Sequence, residues 1–440
     1  MKNSPDFHFS FFNDRHSVNE LPDSLFDSLK FNGLIPPGSM NIHFCGLVSY
    51  EGKTAIFLPR NSKVKDDADK EEIARSLLRS IHRYKQTADS ATETADEGND
   101  IIGSDSLSLI ISLINDYTVN GLYSRRIRFT VRNNGKADWK KTISRMPSFV
   151  VGDDIFYPEI YGTKNRTVHD CDISRIHAQV IRELCLSVGW IDFLDPSVAV
   201  QALVHIPPPF ISKEAQIILL MQELHITYSD RDIFLLKNLI QYLRKGSGNI
   251  NNNMVIGIRE CHGLWERMLD ACLLYTEKVN HRLTAPVYKI SGDYILASFK
   301  GHRTDTVLRH PDENKYVIVD AKYYGARSVV TAPKLADIVK QFYYAKAMKI
   351  VESSAESVIN VFVFPGSKGN IESVHMAPRG LKRKYREEDC LDNDYPPILC
   401  LYQDPVELLS QYSRSKPLDK LSEKIINLSL TDNQSSGVDL

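Results

Sequence analysis

A chain of 440 residues is longer than one hydrophobic core comfortably serves, so two domains are expected. Hydrophobic residues make up 42% and charged residues 25%, with no long apolar run, and Lys2, Asp6 and His8 interrupt any signal-peptide pattern at the start, so a soluble cytoplasmic protein without membrane contact is expected. Lys and Arg total 54 against 55 for Asp and Glu, which excludes a molecule that binds nucleic acid through bulk positive charge and leaves that task to local patches.

The seven cysteines, Cys45, Cys171, Cys185, Cys261, Cys272, Cys390 and Cys400, are scattered and form no C-x-x-C pair, so they read as packing residues in a reducing compartment. From the amino end, strands are predicted at Asn41–Val48 and Thr54–Leu58. A helix follows around Lys70–Tyr84, where Ile73, Leu77, Leu78 and Ile81 recur at helical spacing. The polar stretch Gln86–Asp105 reads as a mobile loop, and Leu107–Asn120 as a helix that Gly121 ends. Arg126–Arg132 alternates like a strand before the turn Asn133–Asn134–Gly135, and helices return at Asp172–Ser187, Lys213–Tyr228 and Ser229–Arg244.

Lys245–Asn253 concentrates Gly, Ser and Asn and marks a domain boundary near residue 250. Beyond it come a helix at His262–Val279, strands at Tyr294–Phe299, Thr304–Arg309 and Lys315–Asp320, a helix at Leu335–Val351 and a strand at Val358–Phe364. The fold expected is a two-domain α+β protein, with a mixed β-rich and helical domain over 1–250 and an α/β core of nuclease type over 251–440.

The chemistry concentrates in Arg303–Tyr324. Two β runs flank the turn His310–Asn314, with Asp305 on the first arm and Asp320 and Lys322 on the second. Strand alternation puts Asp320 and Lys322 on one face, and the buried run Tyr316–Val319 brings Asp320 out at the sheet edge. Two carboxylates suit a hard divalent cation such as Mg²⁺, and a lysine beside them can position or deprotonate the attacking water and offset charge on a phosphate. An Asp-x-Lys at a strand end is also a common exposed ion pair. Two features favour the site: Glu266, set in a helix among Trp265, Met268 and Leu269, would complete a metal site, since a buried charge needs a partner. Gln341, beside Phe342, Tyr343 and Tyr344, would steer a water or the DNA backbone, although those aromatics suit a core equally well.

These residues, in the order Glu266, Asp305, Asp320–Tyr323 (DAKY) and Asp337–Gln341 (DIVKQ), resemble the nuclease subunits of McrC type, within the PD-(D/E)xK superfamily, and most closely the LlaJI-type restriction endonucleases. Phe44–Arg60, Asn120–Tyr123, Asp138–Ile143 and the Ile176–Ile181 helix join the resemblance, which spans most of 41–345. It implies a Mg²⁺-dependent DNA endonuclease of an anti-phage restriction system, with a restriction-endonuclease-like core at the carboxyl end. Asp305, Asp320 and Lys322 would form the catalytic trio, Glu266 and Gln341 would support it, and Glu266, Asp305 and Asp320 would hold the metal. It also implies that residues 1–250 dock to a separate AAA+ GTPase motor of McrB type, and it leaves open whether two nuclease copies pair in the assembly. Thr304 stands where the motif's name has proline, and Ala345 where a tyrosine often follows the glutamine, which leaves the role of Gln341 open. A non-catalytic adaptor that stimulates the motor and a stand-alone repair or transposition nuclease are the rival readings.

Other signals are weaker. Gly46–Thr54 has five residues between its glycines where a P-loop has four, and Ala55–Leu58 reads as a strand where a helix is required, so nucleotide binding is not expected. His177, Cys261 and His262 read as core or capping residues, and Trp139 as a docking or core residue. The basic stretch Arg125–Arg145 suits either a phosphate-tracking strip or a partner surface, and Arg379–Arg386, running into Glu387–Asp389, reads as a solvated loop.

Overall fold

The computed structural model describes residues 9–51, 53–65, 68–90, 101–188, 203–245 and 254–431. The architecture is mixed α/β, with eleven α-helices and several sheets among the described residues. No helix among them is long and apolar enough to cross a membrane.

The chain opens with β1 (Phe9–Asn13), α1 (Asp23–Phe31), β2 (Cys45–Tyr50), β3 (Lys53–Leu58), α2 (Lys70–Ser90) and β4 (Ile101–Ile102). β1 lies parallel to β3, which forms an antiparallel hairpin with β2. The sheet covers a core in which Leu25 and Leu29 of α1 meet Phe44, Val48 and Phe57. The expected loop 86–105 is shorter at both ends: α2 continues to Ser90 on its amphipathic repeat, and Ile101–Ile102 is drawn into the sheet; residues 91–100 lie outside the described residues.

Next come α3 (Ser104–Asn120), β5 (Arg125–Arg132), β6 (Lys136–Ala137), α4 (Trp139–Arg145), β7 (Phe149–Val151), β8 (Asp154–Phe156), β9 (Tyr161–Val168), α5 (Asp172–Val188), α6 (Lys213–Ile226) and α7 (Asp230–Lys245). β5 and β6 both pair with β9, while β7 and β8 form a separate hairpin. Asp138 caps α4 through the Lys141 amide at 3.1 Å. The expected boundary segment 245–253 is helical at Lys245 and otherwise falls outside the described residues.

The chain then returns with β10 (Val255–Ile258), α8 (His262–Cys272), β11 (Val287–Ile290), β12 (Asp293–Leu296), β13 (Thr306–Arg309), β14 (Lys315–Ala321), α9 (Leu335–Val351), β15 (Ser357–Pro365), β16 (Ser373–Val374), β17 (Ile398–Gln403), α10 (Pro405–Ser413) and α11 (Asp419–Thr431). α8 stops at Cys272, well short of Val279, because Tyr275 turns left-handed (φ 62°) and Thr276 bridges Leu308. The strand expected at 294–299 is one arm of the β11–β12 hairpin. β13 to β17 form a sheet in the order β13-β14-β15-β17-β16, with the parallel pair β14 and β15 joined through α9.

These elements make two compact units, one of residues 7–105 with 252–440, the other of residues 106–251. This differs from the expected consecutive domains 1–250 and 251–440. The physical cause is strand pairing: β10 lies antiparallel to both β2 and β4, so chain from each side of residues 106–251 closes one sheet. Packing of α2 against α8 and α10 completes that union.

Candidate active site

The hairpin β13–β14 forms because both runs are apolar and buried, and the turn between them is held by His310. Its backbone amide donates to Lys315 O at 2.9 Å, and its Nδ1 accepts from the amides of Asp312 (3.2 Å) and Glu313 (3.1 Å). Thr306 stands opposite Val319, so one step further along the antiparallel register Asp305 stands opposite Asp320. Tyr316 and Ile318 share a core with Ala347 and Met348 of α9; alternation therefore turns Asp320 and Lys322 to the α9 side of the sheet. β14 is an interior strand, paired with β13 and β15, and Asp320 lies near its carboxyl end.

Asp305, Asp320, Lys322 and Gln341 meet in direct contacts. Asp305 Oδ2 accepts from the Ala321 amide at 2.9 Å, and its carboxyl shares a hydrogen bond with Asp320. Burial, the Asp320 charge and that shared hydrogen bond, with the Glu266 charge behind them, push the Asp305 carboxyl up to about 9, against the lowering effect of the Ala321 amide. Lys322 Nζ lies 3.0 Å from Asp320 Oδ2. Gln341, fully buried, donates from Nε2 to Asp320 Oδ2 at 2.6 Å. Its amide nitrogen thus braces a carboxylate. Glu266 is half-buried on α8 and acts on Asp305 through its charge. One turn along α8, Asp270 accepts from Thr306 Oγ1 at 3.1 Å and so ties that helix to β13.

The sequence reading missed Asp337 as a site residue. Lys322 Nζ is 3.1 Å from Asp337 Oδ1, and Tyr324 donates to Asp337 Oδ2 at 2.9 Å. Burial lowers the basicity of Lys322, but the two carboxylates outweigh it and hold its pKa above the ordinary lysine value. Burial likewise opposes the charge on Asp337, which Lys322 and Tyr324 hold below the usual carboxylate range. The available signal was spacing: Asp337 and Gln341 lie one helical turn apart on α9, with Tyr344 on the same face. The charges of Asp320 and Asp305 add to burial in raising the Tyr344 hydroxyl. Of the aromatics after Gln341, Tyr344 packs on the core beneath β14, Phe342 packs near Phe362 and Phe364, and Tyr343 is exposed.

A second unforeseen group fixes the strand exits. The Tyr323 hydroxyl accepts from the Arg60 amide at 2.8 Å, and Arg60 Nη1 donates to Tyr323 O at 3.0 Å. Asn61 Nδ2 donates to Pro365 O at 2.8 Å and to Gly325 O at 3.3 Å. The turn after β3 thereby holds the chain where β14 and β15 end, immediately beyond Asp320 and Lys322.

The weaker signals resolve simply. Gly46–Tyr50 lies in β2 and Lys53–Thr54 opens the antiparallel strand β3, where a P-loop would need a helix. His177 is buried and accepts from the Tyr123 amide at 3.2 Å. Cys261 is buried at the start of α8, His262 is exposed, and Trp139 is 55% exposed. In Arg125–Arg145, Arg125 pairs with Glu223 while Arg126, Arg128 and Lys140 stay exposed. Residues 379–386 are exposed, with Arg383 bound to Asp389.

A model of the LlaJI restriction endonuclease family matches residues 44–377, most of the chain and all of the site. The match places the protein among the nucleases of restriction systems. It belongs to the LlaJI restriction endonuclease family. Among solved structures, a refined half-complex from a tetradecameric assembly of Thermococcus gammatolerans McrB AAA+ hexamers with bound McrC is 12% identical, with 94% of this chain and 100% of that chain covered and a TM-score of 0.42. A cryo-EM structure of the Thermococcus gammatolerans McrBC complex is 10% identical, with 59% and 85% covered and a TM-score of 0.29. No curated protein matches.

Proposed function

We propose that the protein is the DNA-cutting subunit of a restriction system, a metal-dependent phosphodiesterase of PD-(D/E)xK type. The observation that carries the reading is the placement of Asp305 across from Asp320, with a carboxyl that burial and the neighbouring charges of Asp320 and Glu266 push up to about 9. A divalent cation offsets the mutual repulsion of such carboxylates, and the oxygen-only donor set of Glu266, Asp305 and Asp320 suits Mg²⁺. When bound, the ion supplies a Lewis acid for the phosphodiester and a more acidic water. Lys322, held as an ammonium by Asp320 and Asp337, offsets charge on the phosphate and leaves proton abstraction to another group. Gln341 fixes the Asp320 carboxylate in place.

A net charge of −1 favours recruitment to DNA by a partner, and the sequence resemblance names an AAA+ GTPase motor as that partner. The smaller unit suits docking: its hairpin β7–β8 exposes Phe149, Val150, Val151, Ile155 and Phe156. Residues 7–105, which share a compact unit with the site, belong with the nuclease in this reading, and docking falls to 106–251.

The test is cleavage of duplex DNA by the purified protein with its motor subunit. Mg²⁺ should support cutting and EDTA abolish it, and Asp320→Ala and Lys322→Ala should each abolish it with circular dichroism and partner binding unchanged. Cutting retained by both variants overturns the assignment. An unchanged NTPase rate on mixing with the motor removes the partner and leaves a stand-alone nuclease.

A further inference from the structure

Remote from that chemistry in sequence, β16 and β17 bracket a long excursion, residues 375–397, whose regular structure among the described residues is a single 3-10 turn at Glu387–Asp389. Loops of this length with so little secondary structure are uncommon in compact domains, and most have a functional role or are linkers. At its neck the Leu391 amide donates to Met376 O at 2.7 Å, which sets the two segments side by side. Cys390 and Asp392 flank Leu391, and His375 adjoins Met376, so this bridge brings the three residues together. One donor atom from each lies within 4.8 Å of the others.

The hydrogen bonds around His375 are compatible with a ligand role in one of its two neutral tautomers. Its Nε2 is 2.7 Å from Ser373 Oγ, and its Nδ1 is 2.9 and 3.0 Å from the two oxygens of Asp392. If Nε2–H donates to Ser373, Nδ1 turns a lone pair toward a carboxylate, an arrangement that a cation between them relieves. A histidine that binds metal through one nitrogen and donates from the other to a fixed partner has this form. The order Ser373, His375, Asp392 also matches a hydrolase triad, but a triad has no use for the thiol of Cys390 beside it. Cys390 is half-exposed, whereas Cys45, Cys261, Cys272 and Cys400 in the same unit are buried.

We propose that His375, Cys390 and Asp392 form a zinc site that ties the neck of the 375–397 loop, with Ser373 orienting the imidazole. Mixed nitrogen, sulfur and oxygen donors suit Zn²⁺, with a water in the fourth position. Tetrahedral bonds of about 2.0 to 2.3 Å require donors roughly 3.3 to 3.7 Å apart, a spacing that small side-chain rotations reach. The site is separate from the proposed Mg²⁺ centre and does not depend on it.

The experiment uses the full-length protein stripped of metal and titrated with Co²⁺ as a spectroscopic probe, then with Zn²⁺. Expected are a thiolate-to-cobalt charge-transfer band at about one metal per chain, its loss in Cys390→Ser and His375→Ala, and Zn²⁺ protection of Cys390 from alkylation. Ser373→Ala should keep the band and weaken binding by about 10 to 100-fold. The thiolate band reads the site in the unaltered protein, so misfolding of a variant does not blunt the test. Cobalt binding without that band, or alkylation of Cys390 at the same rate with and without zinc, overturns the proposal and leaves His375 and Asp392 a simple ion pair.

Discussion

Two carboxylates on one ammonium leave Lys322 little freedom, and the position of that cation depends on both. Asp337 supplies one of them from a helix, so Asp337→Asn should keep Lys322 charged through Asp320 but let its Nζ wander. The expected outcome is a single-turnover cleavage rate lower by about 10 to 100-fold, the usual cost of losing a group that orients another, with the melting temperature nearly unchanged. An unaltered rate would take Asp337 out of the site. The meeting of Asp305, Asp320 and Lys322 was legible in the sequence because a hairpin brings near neighbours together; Asp337, a turn before Gln341 on α9, went unread because its contact with Lys322 joins that helix to the preceding strand. His177 offers a test of a different residue. Burial chiefly depresses its imidazole to about 4, with Asp116 opposing and Arg231 adding, while the unfolded value is about 6.5. Between those values the unfolded chain binds the extra proton. Stability is therefore full above about pH 6.5 and falls as pH drops toward 4, by up to about 3 kcal/mol. Urea midpoints followed from neutral pH down to about pH 4.5 should fall less for His177→Gln than for the parent protein, and parallel curves would refute the assignment.

At the scale of elements, β2 and β10 approach so closely that only glycine fits where they cross. Gly46 pairs with Gly257, and a Cβ on Gly257 would fall 2.3 Å from Cys45 O and 2.4 Å from the Phe44 ring. Gly257→Ala should cost about 1 to 3 kcal/mol by overpacking, read as a lower denaturant midpoint with the same m-value. A neutral effect would mean that the β2 backbone at Cys45 gives way freely as well as the Phe44 ring. The sequence marked the long helices through their 3.6-residue repeats, Ile73 to Ile81 in α2 being the clearest. It marked strands poorly where they are short or exposed: β10 has four residues, and β11 and β12 show neither alternation nor burial. α10 carried readable signals that went unused, since Asp404 caps it by accepting from Val406 N at 2.9 Å and Pro405 opens its first turn.

For the whole molecule, the decisive fact is that residues 106–251 interrupt a unit instead of preceding one. Composition at 245–253 suggested a boundary, but composition cannot say which chain pairs across it. β10 finds both of its partners, β2 and β4, before the interruption, and Tyr323 finds Arg60 there. A fragment of residues 252–440 would expose β10 on both edges and strip the packing of α2 from α8 and α10, so it should fail to fold as a monomer. The converse design should succeed. Ile102 pairs with Gly257, and a Cβ on Gly103 would lie 2.0 Å from Val255 O, so the chain ends left by removing 106–251 are already neighbours. Joining residues 7–105 to 252–440 through a short Gly/Ser linker should therefore give a cooperative, single-step unfolding transition at low loop-closure cost. Circular dichroism and urea denaturation of the two products decide the matter: a cooperative transition in the 252–440 fragment alone would show that the amino-terminal strands are dispensable and that the two units are consecutive after all.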